Sequence, residues 1–367
     1  MESGLSRRLN PTFEDADDLE YRVVCRLRGV TTAVLAWSAT RWFAMDTMKI
    51  ALNCLDKIRL CRLRRRQVRR HLTSLVSSMS AALLLGFPYA VSAQHPVNSI
   101  AGVTLFPEGS LISARLVSRQ LQRADGTKDI DVYLLPTNIN YGLNRDLTLG
   151  VTLPYIRKEL FTPAFSTTVE GLGDIILVAK HRYYLKNHEG GTTQFAVVGG
   201  VKLATGDTGA NAPGGGLLPM PDQLGSGSTD FLLGWSGSWF SKYSRSFHIS
   251  ALYNKNTEGD RNFQFGDFVN YNLSANWLVY HQPYPRPELY LGVELNGEYT
   301  RHNELNGAKL ADSGGHRLFV SPTFHWFLSR NWNLEGSVQF PILEELNGIQ
   351  PEENDPRLLL GVRFQFR

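Results

Sequence analysis

Twelve stretches of alternating polarity run through residues 109–366, and a chain patterned this way builds β-sheet with two chemically different faces. The last of them, "RLLLGVRFQFR" (Arg357 to Arg367), sets Leu358, Leu360, Val362, Phe364 and Phe366 on one face and Leu359, Gly361, Arg363 and Gln365 on the other. "NWNLEGSVQF" alternates Trp332, Leu334, Gly336, Val338 and Phe340 with Asn333, Glu335, Ser337 and Gln339, and "ELYLGVELNGE" sets Leu289, Leu291, Val293 and Leu295 against Glu288, Glu294 and Glu298. The segments span roughly 109–120, 129–142, 147–158, 172–185, 193–204, 227–240, 247–256, 264–280, 288–301, 316–328, 332–340 and 357–366. A half-buried strand on a soluble core has the same period of two, so the pattern alone does not separate a sandwich from a barrel.

The connections separate them. After segments 2, 4, 6, 8 and 10 the links are short: "LNRD", "KNHEGGT", "SKYSRS", "HQPYPRP" and "SRN". After 3, 5, 9 and 11 they are long, including the Gly/Pro-rich "TGDTGANAPGGGLLPMPDQLGSGS" (Thr205 to Ser228), while those after 1 and 7 are intermediate. Short periplasmic turns alternating with longer outer loops, on an even number of strands, characterise bacterial outer-membrane barrels. Aromatics also sort to strand ends: Tyr141, Tyr183, Trp239, Trp277, Trp326, Trp332, Phe364 and Phe366 at one rim, Tyr155, Phe231, Tyr253 and Phe340 at the other. Two aromatic girdles belong at the two membrane interfaces. The expected fold is an all-β, transmembrane antiparallel β-barrel of about 12 strands, preceded by a signal peptide, with its apolar face toward outer-membrane lipid. Phe366 near the terminus resembles the signal read by the outer-membrane assembly machinery, although Arg367 follows it.

Composition by itself decides little: 43% apolar and 20% charged residues with a mean hydropathy of −0.20 also suit a soluble protein. The net charge of +4 conceals two unlike pieces, since residues 1–93 carry 15 Lys+Arg against 8 Asp+Glu and residues 94–367 carry 23 against 26. Cys25, Cys54 and Cys61 all precede the same boundary. There, the cationic "RLRRRQVRRH" (Arg62 to His71) leads into the apolar "LTSLVSSMSAALLLGF" (Leu72 to Phe87) and then "VSA" before Gln94. That is the layout of a secretory signal and its small-residue cleavage site. The apolar stretch of 16 residues falls short of the roughly 20 that a spanning helix needs. The expected organisation is therefore 1–47 as a mis-assigned upstream start or extension, with a natural start at Met48, then a signal peptide over 48–93 and a barrel over 94–367, in the bacterial outer membrane after export through the periplasm.

Catalytic, cofactor and metal signatures are lacking. The sequence holds no H-E-x-x-H, no G-x-S-x-G and no G-x-x-x-x-G-K-[ST], and no feature points to nucleic acid. The Gly-rich stretch Thr205 to Ser228 reads as a mobile outer loop, since no helix follows to make a phosphate cradle. His248 and Ser250 share a strand face, with Asn270 or Asn272 on the next strand, but their parity points them into the lumen, whereas a lipid hydrolase needs them toward lipid. No catalytic residue is assigned. Inward parity falls instead on the lumen-lining candidates Arg115, Lys180, Arg182, Lys202, Glu294, Arg317, Glu335 and Arg363. Opposite charges on adjacent strands, Arg317 or Arg363 with Glu335, are expected to form ladders across the lumen, with Lys180 and Lys202 as neighbouring inward cations.

Four blocks carry a family resemblance: "LPTNINYGLNRDLTLGVTLPY" (Leu135 to Tyr155), "GLGDIILVAKHRYYL" (Gly171 to Leu185), "GVKLATGD" (Gly200 to Asp207) and "GSGSTDFLLG" (Gly225 to Gly234). They resemble the outer-membrane proteins associated with the meta pathway of phenol degradation, with Ala204 and His181 as departures from the usual pattern. The resemblance implies a barrel passing hydrophobic or aromatic compounds, and it brings no functional residues. Together these features point to a passive channel or uptake protein for small solutes, with a non-transporting scaffold or adhesin-like barrel and an outer-membrane lipid hydrolase as alternatives. The charge break at "VSA" predicts that mass spectrometry of the protein from outer membranes finds an N-terminus at Gln94; recovery of residues 1–93 in that fraction would contradict it.

Overall fold

A backbone in hydrocarbon has no water to bond, so a sheet that crosses a membrane must pair every strand on both sides. The computed structural model, which describes residues 96–123, 125–282 and 287–367, satisfies that condition. The expected extension, signal peptide and cleavage site lie outside the described residues. Twelve long strands follow in order: β1 Ser110–Arg123, β2 Asp129–Gly142, β3 Leu147–Phe161 and β4 Ile176–His188; β5 Gly191–Lys202, β6 Asp230–Ser241, β7 Arg245–Lys255 and β8 Phe268–His281; β9 Glu288–Thr300, β10 Gly315–Phe327, β11 Trp332–Leu346 and β12 Arg357–Phe366. Each pairs antiparallel with the next in sequence. The barrel closes where β12 pairs β1, with Ser110 opposite Phe366 and Ser118 opposite Leu358.

All twelve strands fall on the expected segments. The larger differences lie at the outer ends, where tertiary pairing extends or interrupts the alternating pattern; at the periplasmic side β4 and β5 run two or three residues further into their shared turn. β11 runs on to Leu346, so Phe340 lies within the strand rather than at its end. β4 begins only at Ile176, because the outer half of β3 is met by a separate short strand, Ser166–Leu172. Phe263–Gln264, Glu304–Leu305 and Ala308–Lys309 form a small three-stranded sheet in the outer loops. The Thr205 to Ser228 stretch, expected to be mobile, is instead folded down. Its Leu218 and Leu224 join Ile130, Val132, Leu160 and Val169 in an apolar cluster, and Lys128 Nζ binds Asp222 at 2.6 and 2.8 Å.

The glycine-containing blocks meet in this outer cap. Asp174 accepts from the Gly206 N–H at 2.9 Å with one oxygen, and from the Ser226 N–H at 2.9 Å and hydroxyl at 2.6 Å with the other. That clip draws the two ends of the β5–β6 loop so close that a Cβ on Gly225 would lie 2.3 Å from the Gly206 carbonyl oxygen. "GLGD", "TGD" and "GSGS" are thereby one structural unit that seats the loops over the barrel.

Facing inverts that of a soluble protein. Large apolar side chains such as Leu233, Leu273, Ile249 and Leu360 are exposed on the outside, while Ser236, Asn276, Glu294, Ser321, His325 and Glu335 are fully buried within. Outer-face aromatics stack along the strands: Phe195 with Trp235 at 5.6 Å, Trp239 with Phe247 at 5.3 Å, and Trp332 with Phe364 at 4.5 Å between ring centroids. Among the described residues no helix is long and apolar enough to cross a membrane; the crossing is made by strands. A cation placed at the barrel mid-plane meets hydrocarbon at a cost of about 2–4 kcal/mol. Leu273→Arg should therefore lower the folded fraction in a heat-modifiability gel, with Leu273→Phe, which keeps the face apolar, folding as the parent does.

Candidate functional site: a partly filled lumen

The barrel interior is not an open tube, because residues 96–105 run through it. "PVNSIAGVTL" shows neither strand nor helix periodicity, and it finds its backbone partners on the barrel wall. Glu294 on β9 accepts the Val97 N–H at 2.6 Å and the Asn98 N–H at 3.0 Å. Ser238 on β6 accepts from the Gly102 N–H at 2.8 Å, Ser236 donates to the Ala101 carbonyl at 3.1 Å, and Thr148 on β3 accepts from the Leu105 N–H at 2.9 Å. Arg363 donates to the Pro96 carbonyl at 3.2 Å. Gly102 passes so near the wall that a Cβ there would sit 2.8 Å from the Gln194 carbonyl oxygen. The Ser, Thr and Glu of the inward face thus serve as hydrogen-bond partners for a peptide that lacks a strand neighbour.

The inward charges are organised around this segment. Glu335 on β11, fully buried, sits between two guanidinium groups, Arg115 on β1 at 2.5 Å and Arg363 on β12 at 2.5 Å. Among the described residues Lys180 on β4 reaches only the Ala101 carbonyl, at 3.4 Å. Arg182 turns to Asp146 at 2.8 Å and Gln194 at 3.0 Å, bracing the periplasmic turn between β2 and β3.

Two pairings expected from the sequence are corrected. Arg317 does not meet Glu335: it binds Glu344 at 2.7 Å, because β11 extends beyond its expected end and brings that carboxylate opposite. Lys180 and Lys202 are not neighbours, since Lys180 lies opposite Val198 and Lys202 opposite Ile176, four residues apart along the ladder. Lys202 sits instead in the outer cap, bonded to Asp230 and 3.5 Å from Asp174. Reversing its charge would leave those carboxylates without their cation, so it is a structural group.

His248 and Ser250 do share the inward face, yet they do not bond each other. His248 meets Ser238 at 2.7 Å and Ser246 at 3.1 Å, while Ser250 accepts from Asn272 at 3.3 Å and from the Ile100 N–H at 3.5 Å. The serine that touches the histidine is itself tied to Gly102. These groups hold the inner segment in place. Among the described residues no group of three His, Cys, Asp or Glu side chains is placed to hold a metal ion.

A second ion network closes the outer mouth, and it was only partly legible in advance. Arg357 at the start of β12 forms a bidentate pair with Glu298, at 2.6 and 3.1 Å, and another with Glu353, at 2.5 and 2.7 Å. Its guanidinium lies over the Phe319 ring at 4.1 Å. Arg119 approaches Glu353 at 3.6 Å, and the Glu353 N–H donates to Glu344. Glu353 belongs to the link between β11 and β12, where nothing in the alternating pattern marks a residue as inward. At the rim beside β7, burial alone would raise the Asp267 carboxyl, but bonds from Lys255, Tyr253 and the Asn256 N–H hold it below the usual carboxylate range.

A family profile described as "Putative MetA-pathway of phenol degradation" matches residues 123–343, more than half of the chain. The chain belongs to this family. Among solved structures, an outer membrane channel from Pseudomonas putida F1 matches with a TM-score of 0.58 at 15% identity, over 74% of this chain and 100% of the other. The β-domain of the Bordetella autotransporter BrkA matches at a TM-score of 0.42 and 12% identity over 70% of this chain and 100% of the other. No curated protein sequence matches. The protein has the fold of an outer-membrane β-barrel.

Taking one partner from a buried ion pair costs about 3–5 kcal/mol, because the other charge stays behind. Glu335→Gln strands two guanidinium groups at once, so it should lower the heat-modifiability midpoint clearly, whereas Glu345→Gln on the exposed side of the same strand should leave it unchanged.

Proposed function

We propose that this family member is a passive channel for uptake of small molecules, aromatic compounds among them. The observation that carries the reading is the character of the interior. Arg115, Lys180, Glu294, Glu335 and Arg363 stand around a threaded peptide in place of a packed apolar core, the polar interior that membrane barrels have whether open as a channel or plugged. Twelve strands stand between the eight that side chains fill and the 16 to 18 that leave a wide aqueous pore. A narrow passage whose width depends on the 96–105 segment fits that intermediate size. The Pseudomonas putida protein of similar fold is an outer membrane channel, which supports the same reading here.

Along this route the inward cations Arg115, Lys180 and Arg363 would bias which solutes pass, since charges act strongly across a confined pore and less in high salt. Lys202, Arg182 and Arg317 are committed to carboxylates at the two ends and would contribute less.

Purified protein in a planar bilayer should show small, resolvable conductance steps, and removal of residues 96–105 should enlarge them severalfold. Normal assembly with no conductance in either form would instead favour a scaffold. Phospholipid hydrolysis that disappears in Ser250→Ala would favour an enzyme.

A further inference from the structure

A cavity of about 190 Å³ remains in the lumen between the 96–105 segment and the wall formed by β1 to β4 and β12. Three cations line it, Arg115, Lys180 and Arg363, and none of its lining residues is a carboxylate. Glu335 lies behind the two arginines, engaging Nε of Arg115 and one terminal nitrogen of Arg363. Val103 and Leu105 of the segment and Leu111 of β1 supply apolar surface to the same cavity, beside the polar Ser113, Asn138, Asn140 and Thr148.

Among the described residues Lys180 has no ion-pair partner, and the two arginines share the single carboxylate of Glu335. An ammonium has three protons to donate, and the single bond of Lys180 to a described residue is the long one to the Ala101 carbonyl at 3.4 Å. Arg363, only 6% exposed, has no partner for its Nε among the described residues. An unpaired buried charge is costly, and evolution ordinarily removes or pairs it unless something else supplies the counter-charge. Guanidinium and ammonium groups converging on one space are suited to a carboxylate.

Size and shape narrow the ligand further. An apolar cavity of about 150 Å³ accommodates one benzene ring, so this one, at about 190 Å³, has room for a single ring bearing a carboxylate. The apolar side chains favour an organic anion over a compact, strongly hydrated inorganic one, which would leave Val103 and Leu111 facing water. We propose that this cavity is a binding site for monocyclic aromatic monocarboxylates, the carboxylate held by Lys180 and Arg363 and the ring against Val103, Leu105 and Leu111. The assignment deepens the channel reading, since it makes the occupied cavity a station on the solute's path.

The test is equilibrium binding of benzoate to detergent-solubilised protein by isothermal titration calorimetry, with benzyl alcohol, inorganic phosphate and 2-naphthoate as comparisons. Benzoate should bind saturably, with benzyl alcohol and phosphate at least tenfold weaker and naphthoate weaker than benzoate. Lys180→Met should weaken benzoate at least tenfold and leave benzyl alcohol unaffected, with heat-modifiability unchanged because Lys180 forms no ion pair with a described residue. Leu111→Trp fills the cavity with every cation retained, and should abolish benzoate binding; it decides the matter should the lysine variant fold poorly. Equal binding of benzoate and benzyl alcohol, equal competition by phosphate, benzoate binding that survives both variants, or none in the parent overturns the site. Conductance in a planar bilayer is recorded on the same preparations. A protein that conducts without binding benzoate refutes the site and leaves the channel standing, and one that binds benzoate without conducting refutes the channel and leaves the site.

Discussion

Every peptide group of a membrane-crossing sheet has to find a partner within the sheet, and that requirement organises the rest of this molecule. It forces β12 back onto β1, which fixes a cylinder with an outside and an inside. Once the cylinder exists, the period of two in each strand becomes a division of chemistry: Leu273, Ile249 and Leu360 outward to lipid, Ser236, Glu294 and Glu335 inward. The polar face then has no solvent bulk to meet at twelve strands' width, only other polar groups across a narrow lumen.

The 96–105 segment resolves that situation. Its amides and carbonyls are the partners that inward serines, threonines and Glu294 would otherwise seek in water, and the wall in turn supplies the ladder that an isolated extended peptide lacks. The pairing is reciprocal, so segment and wall stabilise one another. Charges complete the arrangement: Glu335 neutralises part of Arg115 and Arg363, and the remaining positive charge faces a space that the protein leaves vacant.

At the outer mouth the same logic operates with loops. Arg357 binds two carboxylates from opposite sides, one on β9 and one on the β11–β12 link, and so ties the closing seam to the cap. Asp174 does the equivalent for the loops after β3 and β5, where side-chain-free Gly206 and Gly225 let two backbones touch. The glycine motifs within the blocks that carry the family resemblance make these contacts, while other residues of the same blocks, Thr148 and Lys180 among them, face the lumen.

Strand number, strand parity, membrane face and the identity of the periplasmic turns were all determined by the sequence alone, because each depends on residues a fixed, short distance apart. Leu358 and Leu360 share a face in any strand, and "SRN" is a tight turn wherever it stands. What the tertiary structure decided depends on residues far apart in the chain. That Glu335 pairs with Arg115 and not Arg317, that Lys202 belongs to the cap and Lys180 to the lumen, and that Glu353 reaches inward all follow from strand stagger and loop folding. So does the course of the 96–105 segment, whose partner Glu294 lies nearly two hundred residues away and whose own sequence carries no periodic signal. Local pattern specifies which way a side chain points, and only closure of the barrel specifies what it meets there.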